Sequence, residues 1–300
     1  PFLELERHLK KGHLAVGFMG YGLAPYALEL AKEPPRWDDI PLMHFVFYDP
    51  KEAHYVSIDD FARKTVGTLS PLHPLPSLPE PNMTREEFEG MVEAARGYIE
   101  RGDVYQVNLS QRFTAPFPHS PAVLIRRLFL TQPVPFAALL KAPGFTIVSG
   151  SMELFLEKRG RVLTTRPIKG TRARREDPHE DARIARELEA DPKERAENLM
   201  IVDLMRHDLG RIARLGTVRV DRLFSIKPYA TLYHMESQVS CELRSGVTVS
   251  DILKATFPPG SVTGAPKRRA VEVIAELEPH ARGPYCGAIG VFHPGGDFKL

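Results

Sequence analysis

The sequence predicts an α+β fold, a large and mainly antiparallel β structure flanked by helices. Three observations carry that expectation. Short apolar or alternating runs bounded by glycine, proline and aspartate recur from Met43 to Phe292. Helical periods interrupt them irregularly, unlike the regular strand–helix alternation of a parallel sheet. A hairpin pattern, two strand-like runs about Lys158-Arg159-Gly160, stands near the middle of the chain.

Composition excludes several classes. The chain has 300 residues, 43% hydrophobic and 26% charged, enough to bury a sizeable core. Forty basic against 38 acidic side chains leave a charge of +2, which provides no electrostatic reason to expect nucleic acid or a membrane surface. No run of eighteen apolar residues is present, so no transmembrane helix is expected. The opening Pro-Phe-Leu-Glu-Leu-Glu-Arg has no apolar signal region. Cys241 and Cys286 cannot make a disulfide framework and suit a reducing, cytoplasmic setting.

The elements follow in order. Residues 1–69 read as an N-terminal β-rich segment, with Met43 to Tyr48 a strand closed by Asp49-Pro50. Gly17, Gly20 and Gly22 run in the reverse order of a dinucleotide fingerprint. Residues 70–82 hold Pro71, Pro74, Pro76, Pro79 and Pro81 and read as an extended linker. Residues 83–300 follow as the main domain.

That domain opens with a capping box, Thr84 with Glu87, ahead of Phe88, Met91, Ala95 and Ile99 at helical spacing. Val104 to Phe113 alternates as a strand. In the central hairpin, Arg161 to Arg166 returns until Pro167 breaks the ladder, and pairing about the turn sets Glu153 opposite Arg166. Asp191, Pro192 and Glu194 mark a strong helix start. Its core stripe is Val202, Met205, Leu209 and Ile212, with Glu197, Ile201, Leu204 and Asp208 beside it. Tyr233 to Cys241 is strand-like. Pro258 to Gly264 is a loop feeding a helix near Pro266, and Ala288 to Phe292 enters a turn at Pro294-Gly295-Gly296-Asp297.

Four places have side chains suited to chemistry. Lys169 sits in a Pro-to-Gly bend, Arg166-Pro167-Ile168-Lys169-Gly170-Thr171-Arg172. Arg166, Arg172, Arg174 and Arg175 around it disfavour a protonated amine, which makes a nucleophile of it. On spacing alone it also reads as a solvated lysine. Glu153 leads into Leu154, Phe155 and Leu156. Apolar neighbours raise a carboxyl's pKa and suit it to general-acid work, though an edge-strand glutamate facing water has the same pattern. Glu194 and Glu197, one helical turn apart, offer hard oxygen donors for magnesium or form a solvated acidic stripe. Gly260 to Gly264 lacks the Walker spacing. It presents either a helix N-terminus for a carboxylate or a structural turn.

These segments together resemble the chorismate-utilising enzymes, and within them the aminodeoxychorismate synthase component I branch. The likeness runs through Gly102-Asp103-Val104-Tyr105-Gln106-Val107-Asn108-Leu109, Ser151-Met152-Glu153, Pro167-Ile168-Lys169-Gly170-Thr171, Ala196 to Leu204, Pro259 to Lys267 and Arg282 to Gly290. It covers roughly Thr84 to Leu300 and weakens before the linker. Lys169 discriminates, because relatives making anthranilate or isochorismate usually have alanine there.

The resemblance implies an anthranilate synthase component I-like fold and amination of chorismate at C4, the first step to 4-aminobenzoate and folate. It implies Lys169 as nucleophile and Glu153 as general acid. It implies Mg2+ on Glu197, with Glu194 acting through water. Substrate contacts fall on Gly170, Thr171, His234, Thr263, Gly264, Ala265 and Tyr285. A separate glutamine amidotransferase would supply the ammonia; nucleic acid and membrane are not expected partners. The other readings are anthranilate or isochorismate synthase, and a non-catalytic module of the same fold.

The sequence departs from the family pattern in three places. Met152 stands where proline is common, and His207 where asparagine is usual. The family's later arginine, glycine-rich loop and second metal glutamate do not appear before Leu300. With only three residues after the last turn, the sequence predicts a fragment trimmed at both ends. It also predicts an open sheet edge near Val291 and Phe292.

Overall fold

A nine-stranded antiparallel sheet organises the chain in the computed structural model, which describes residues 2–30, 39–54, 56–57, 60 and 77–300. The helices are α1 (Phe2–Lys10), α2 (Ala24–Leu28), α3 (Arg85–Glu100), α4 (Pro121–Thr131), α5 (Pro178–Ala190), α6 (Pro192–Gly210), α7 (Val249–Thr256) and α8 (Lys267–Leu277). The strands are β1 (Leu14–Met19), β2 (Met43–Tyr48), β3 (Glu80–Pro81), β4 (Gln106–Val107), β5 (Phe113–Thr114), β6 (Phe136–Ala142), β7 (Phe145–Ser151), β8 (Leu154–Arg159), β9 (Val162–Arg166) and β10 (Ile168–Ala173). They continue with β11 (Arg219–Pro228), β12 (Leu232–Glu242), β13 (Gly264–Ala265), β14 (Ala288–Phe292) and β15 (Phe298–Lys299). The α+β expectation holds. The proline-rich run lies outside the described residues except for 77–82. Among the described residues no helix is long and apolar enough to cross a membrane.

The sheet runs in the order β10-β12-β9-β8-β15-β14-β1-β2, with β11 on the free side of β12, and it steps at one proline. Pro167 has no N–H, so the ladder steps there. β9 and β10 become two lengths of one bent strand on the same edge of β12, joined by Ser237 N donating to Pro167 O at 3.1 Å. Helix α6 packs on β12 and β10. Val202, Met205, Leu209 and Ile212 are all buried, as their spacing requires. Asp191 caps α6 by accepting from Lys193 N at 2.9 Å and Glu194 N at 3.1 Å. Thr84 and Glu87 form the capping box of α3.

Three expectations are corrected. The edge near Val291 and Phe292 is closed: Val291 lies between Val16 and Lys299, and Phe292 between Ala15 and Phe298. The two-residue β15 suffices because it also pairs with β8, through Lys158 and Glu157. Asp297 ties its turn down, accepting from Lys158 Nζ at 3.1 Å and Gly160 N at 2.9 Å.

Second, Arg166 faces Leu154, not Glu153. The hairpin turns at Gly160-Arg161, placing Arg159 opposite Val162, and a bulge between Leu154 and Glu157 returns part of the offset. Third, only Gln106–Val107 and Phe113–Thr114 of the 104–113 run are strand. The backbone between them bonds to loops instead, Asn108 N to Thr263 O at 2.8 Å and Ser110 N to Glu278 Oε1 at 2.7 Å.

Candidate active site

Lys169 is aimed by a bulge. The register of β10 on β12 slips between Ile168 and Thr171, and Gly170 takes φ +92° there, a left-handed conformation natural to glycine. The side chain points at α6 and β4. Its Nζ stands 3.1 Å from Glu197 Oε1 and donates to Asn108 Oδ1 at 3.3 Å. Glu197 also accepts from Gln106 Nε2 at 2.6 Å. Gln106 Oε1 is buried without a hydrogen-bond partner. Gln106 and Asn108 stand two apart on an extended segment, so both side chains leave the same side. That i, i+2 amide pair was legible in the sequence but received no role.

The cationic surroundings expected for Lys169 are not there. Arg172 pairs with Asp191 at 2.7 Å and Glu194 at 2.9 Å, and Arg174 with Asp181 at 2.6 Å. Arg166 lies over the Phe136 ring at 5.7 Å. Arg166, Arg172 and Arg174 each have a local partner, and the charge beside Lys169 is the Glu197 carboxylate. Pairing costs less than leaving desolvated cations near one another.

Glu153 occupies the corner between β7 and β8. Its N–H donates to Ser151 Oγ at 3.3 Å. Burial pushes its carboxyl up to about 7; the Ser261 hydroxyl, the Ile168 N–H and the Lys169 charge oppose that rise, and Glu236 adds to it. The carboxyl borders a cavity of about 510 Å³ whose wall includes Phe136, Ser261, Val262, Tyr285 and Ala288. Ser261 is a further site residue that sequence reasoning left without a role. Lys169 and Glu197 do not line this cavity; the Ile168 N–H links Glu153 to the strand that holds Lys169.

The remaining predicted residues divide between the two sides. Thr171 and His234 are register partners, with Thr171 Oγ1 and His234 Nδ1 at 2.9 Å. Burial lowers the His234 pKa, with the Gly170 carbonyl opposing. Gly264 and Ala265 pair with Val107 and Gln106. The Thr263 hydroxyl is fully buried and donates to Pro259 O at 3.0 Å and Gly260 O at 3.2 Å. Tyr285 is 64% exposed and lines the same cavity as Glu153.

Among the described residues no three Asp, Glu, His or Cys side chains gather around one point. Glu194 and Glu197 nevertheless fit a hard divalent ion by donor chemistry. Two carboxylates one turn apart, with water completing the shell, are what magnesium accepts. Each is held by a cation, Arg172 and Lys169, that such an ion would displace.

Comparison with known proteins agrees with the geometry. The family described as chorismate binding enzyme matches residues 3–300. Aminodeoxychorismate synthase component 1 of Klebsiella aerogenes is 38% identical over 290 residues, 92% of this chain and 64% of its own length. The Bacillus subtilis protein of the same name is 46% identical over 209 residues, covering 70% of this chain and 44% of its own. Anthranilate synthase component 1 of Streptomyces coelicolor is 45% identical over 210 residues, covering 70% of this chain and 41% of its own. The chain thus spans less than two thirds of the length of each of these three relatives. The crystal structure of anthranilate synthase component I from Streptococcus pneumoniae superposes with a TM-score of 0.79 at 32% identity, over 96% of this chain and 71% of that one. The Lys169–Glu197 pair, the half-buried Glu153 and a family match over almost every residue lead to one conclusion: the chain belongs to the chorismate binding enzyme family.

Proposed function

We propose that the chain carries the aminating chemistry of an aminodeoxychorismate synthase component 1, turning chorismate and ammonia into 4-amino-4-deoxychorismate and water. The observation that carries this reading is Lys169, aimed by the bulge of β10 with its Nζ 3.1 Å from Glu197 Oε1 and 3.3 Å from Asn108 Oδ1. A nucleophile and a general acid in one site divide one difficult displacement into two easier ones.

In the first step Lys169 leaves Glu197, passes one ammonium proton to water, and its amine bonds to C2 of chorismate; it takes a proton back when the cycle closes. The ring double bonds shift and the C4–O bond breaks. Glu153 gives its proton to the departing oxygen, which leaves as water. In the second step ammonia bonds to C4, the double bonds shift back and the C2–N bond to Lys169 breaks. The proton shed by the new amine returns to Glu153. Magnesium, held by Glu197 with Glu194 reaching it through water, would neutralise a substrate carboxylate. Gly170, Thr171, His234 and Tyr285 are assigned to substrate contact in this reading, and the buried Thr263, Gly264 and Ala265 hold the loop that shapes the site. A glutamine amidotransferase subunit supplies ammonia, and the setting is cytoplasmic.

The full-length protein, given chorismate, magnesium and ammonium and then a lyase that makes 4-aminobenzoate, tests this. 4-Aminobenzoate is the expected product, and anthranilate would refute the reading. The anthranilate alternative is favoured by one observation, the 45% identity to the Streptomyces coelicolor protein. Lys169 weighs against it.

A further inference from the structure

Arg282 lies between α8 and β14 with its side chain 2% exposed. It has no role in the chemistry above. Its fork grips Glu278, Nε to Oε2 at 2.9 Å and Nη2 to Oε1 at 2.6 Å. The remaining donors reach two backbone carbonyls on separate segments, Nη1 to Val262 O at 3.1 Å and Nη2 to Asn108 O at 2.6 Å. The guanidinium also covers the Tyr21 ring, 4.6 Å from its centroid. Glu278 extends the junction by accepting from Ser110 N at 2.7 Å and Ser110 Oγ at 2.9 Å.

Those two carbonyls belong to the segments that hold the reacting groups. Asn108 receives the Lys169 amine through its side chain, and its own Nδ2 donates to Ser261 O at 3.1 Å. Val262 follows Ser261, and both line the cavity that Glu153 borders. We propose that Arg282 is a positioning residue, its guanidinium clamping residues 108 and 262 so that Asn108 and Ser261 hold Lys169 and Glu153 in register with each other. A planar fork with five donors can serve a carboxylate and two carbonyls together; an ammonium group is a point charge without that geometry. The clamp rests on the amination reading only for its kinetic assay.

The test uses the full-length chain with Arg282→Lys, which keeps the charge against Glu278, and the isosteric Glu278→Gln as a second variant. Arg282→Lys is expected to lower kcat for amination on the order of 10²-fold, the usual cost of misplacing reacting groups by about an ångström. KM should change less than about threefold, because the lesion is in alignment. The groups facing Glu153 are Ser261, Ile168 N–H, Lys169 and Glu236. Loosening Ser261 should move the alkaline limb of the pH profile upward. Loss of folded protein alone would scale the rate without moving that limb. Glu278→Gln should act in the same direction with smaller effect.

Unchanged kcat and pH profile in folded Arg282→Lys would overturn the clamp. A second readout needs no turnover. Amide exchange should quicken at Asn108 and Thr263 while β12 stays protected. Uniform or absent change would sink the proposal even if the wild-type chain consumed no chorismate, which by itself would refute only the amination reading.

Discussion

The Lys169 ammonium and the Glu197 carboxylate face each other at 3.1 Å, one from the bulge of β10 and the other from the second turn of α6. The proposed nucleophile and the proposed metal ligand are therefore each other's counter-ion. Glu197 cannot serve both fully, so metal binding and lysine pairing compete.

Lys169→Ala removes that competitor. The variant is expected to lose amination and to bind magnesium about tenfold more tightly, equivalent to about 1.4 kcal/mol. Titration calorimetry with magnesium alone measures the second effect. Equal affinity in both proteins would show that Glu197 is not the metal ligand.

Glu153 sets the pH dependence. As general acid it must be protonated, so kcat should fall as pH rises through about 7. Glu153→Gln should lower kcat on the order of 10²- to 10⁴-fold and remove that limb. Stability moves the other way. A carboxyl whose folded pKa lies above the unfolded 4.5 stabilises the fold at low pH and loses that contribution as pH climbs through about 7. Melting at pH 8 should therefore find Glu153→Gln more stable than the parent, with the gap closing towards pH 5.

Lys267 and Asp208 form a buried ion pair that joins the first turn of α8 to α6, and Lys267 Nζ also donates to Thr256 O at 2.5 Å. Their side chains are 6% and 4% exposed. Asp208→Ala should cost about 3–5 kcal/mol, because it leaves a buried ammonium without its charge partner. Replacing both with apolar residues should recover most of that loss. Urea denaturation of the three proteins decides it, and a cost below about 1 kcal/mol for Asp208→Ala, the range of exposed pairs, would contradict the account.

Gly264 has φ +145°, and a Cβ built there would lie 2.1 Å from Gln106 O. Gly264→Ala must push β13 away from β4 and pull Gln106 off Glu197. The expected result is a loss of about 1–3 kcal/mol together with weaker magnesium binding. Unchanged melting temperature and magnesium affinity would show that the β13–β4 contact does not position the metal ligand.

Local chemistry was readable from the residues in order. Thr84 with Glu87, Asp191 with Pro192, and the stripe Val202, Met205, Leu209 and Ile212 form what their spacing demands, because a cap or an amphipathic turn is complete within a few residues. The motif order around Lys169, Glu153 and Glu197 was likewise enough for the family. The roles of Gln106, Asn108, Ser261 and Arg282 were not readable, since each depends on a partner from 61 to 174 positions away or on a loop folded against it.

The sequence alone therefore determined the fold class and the family. Tertiary structure decided which charges meet. Arg172 and Arg174 read as cations crowding Lys169, yet they are spent on Asp191, Glu194 and Asp181, while Lys169 takes Glu197. It also closed the sheet at Val291 and Phe292, by bringing β1 from the start of the chain and β15 from its end to the two sides of one strand. Spacing reports neighbours along the chain. Pairing across a sheet and burial of a charge are settled by neighbours in space, where desolvation makes an unpaired group too costly to leave.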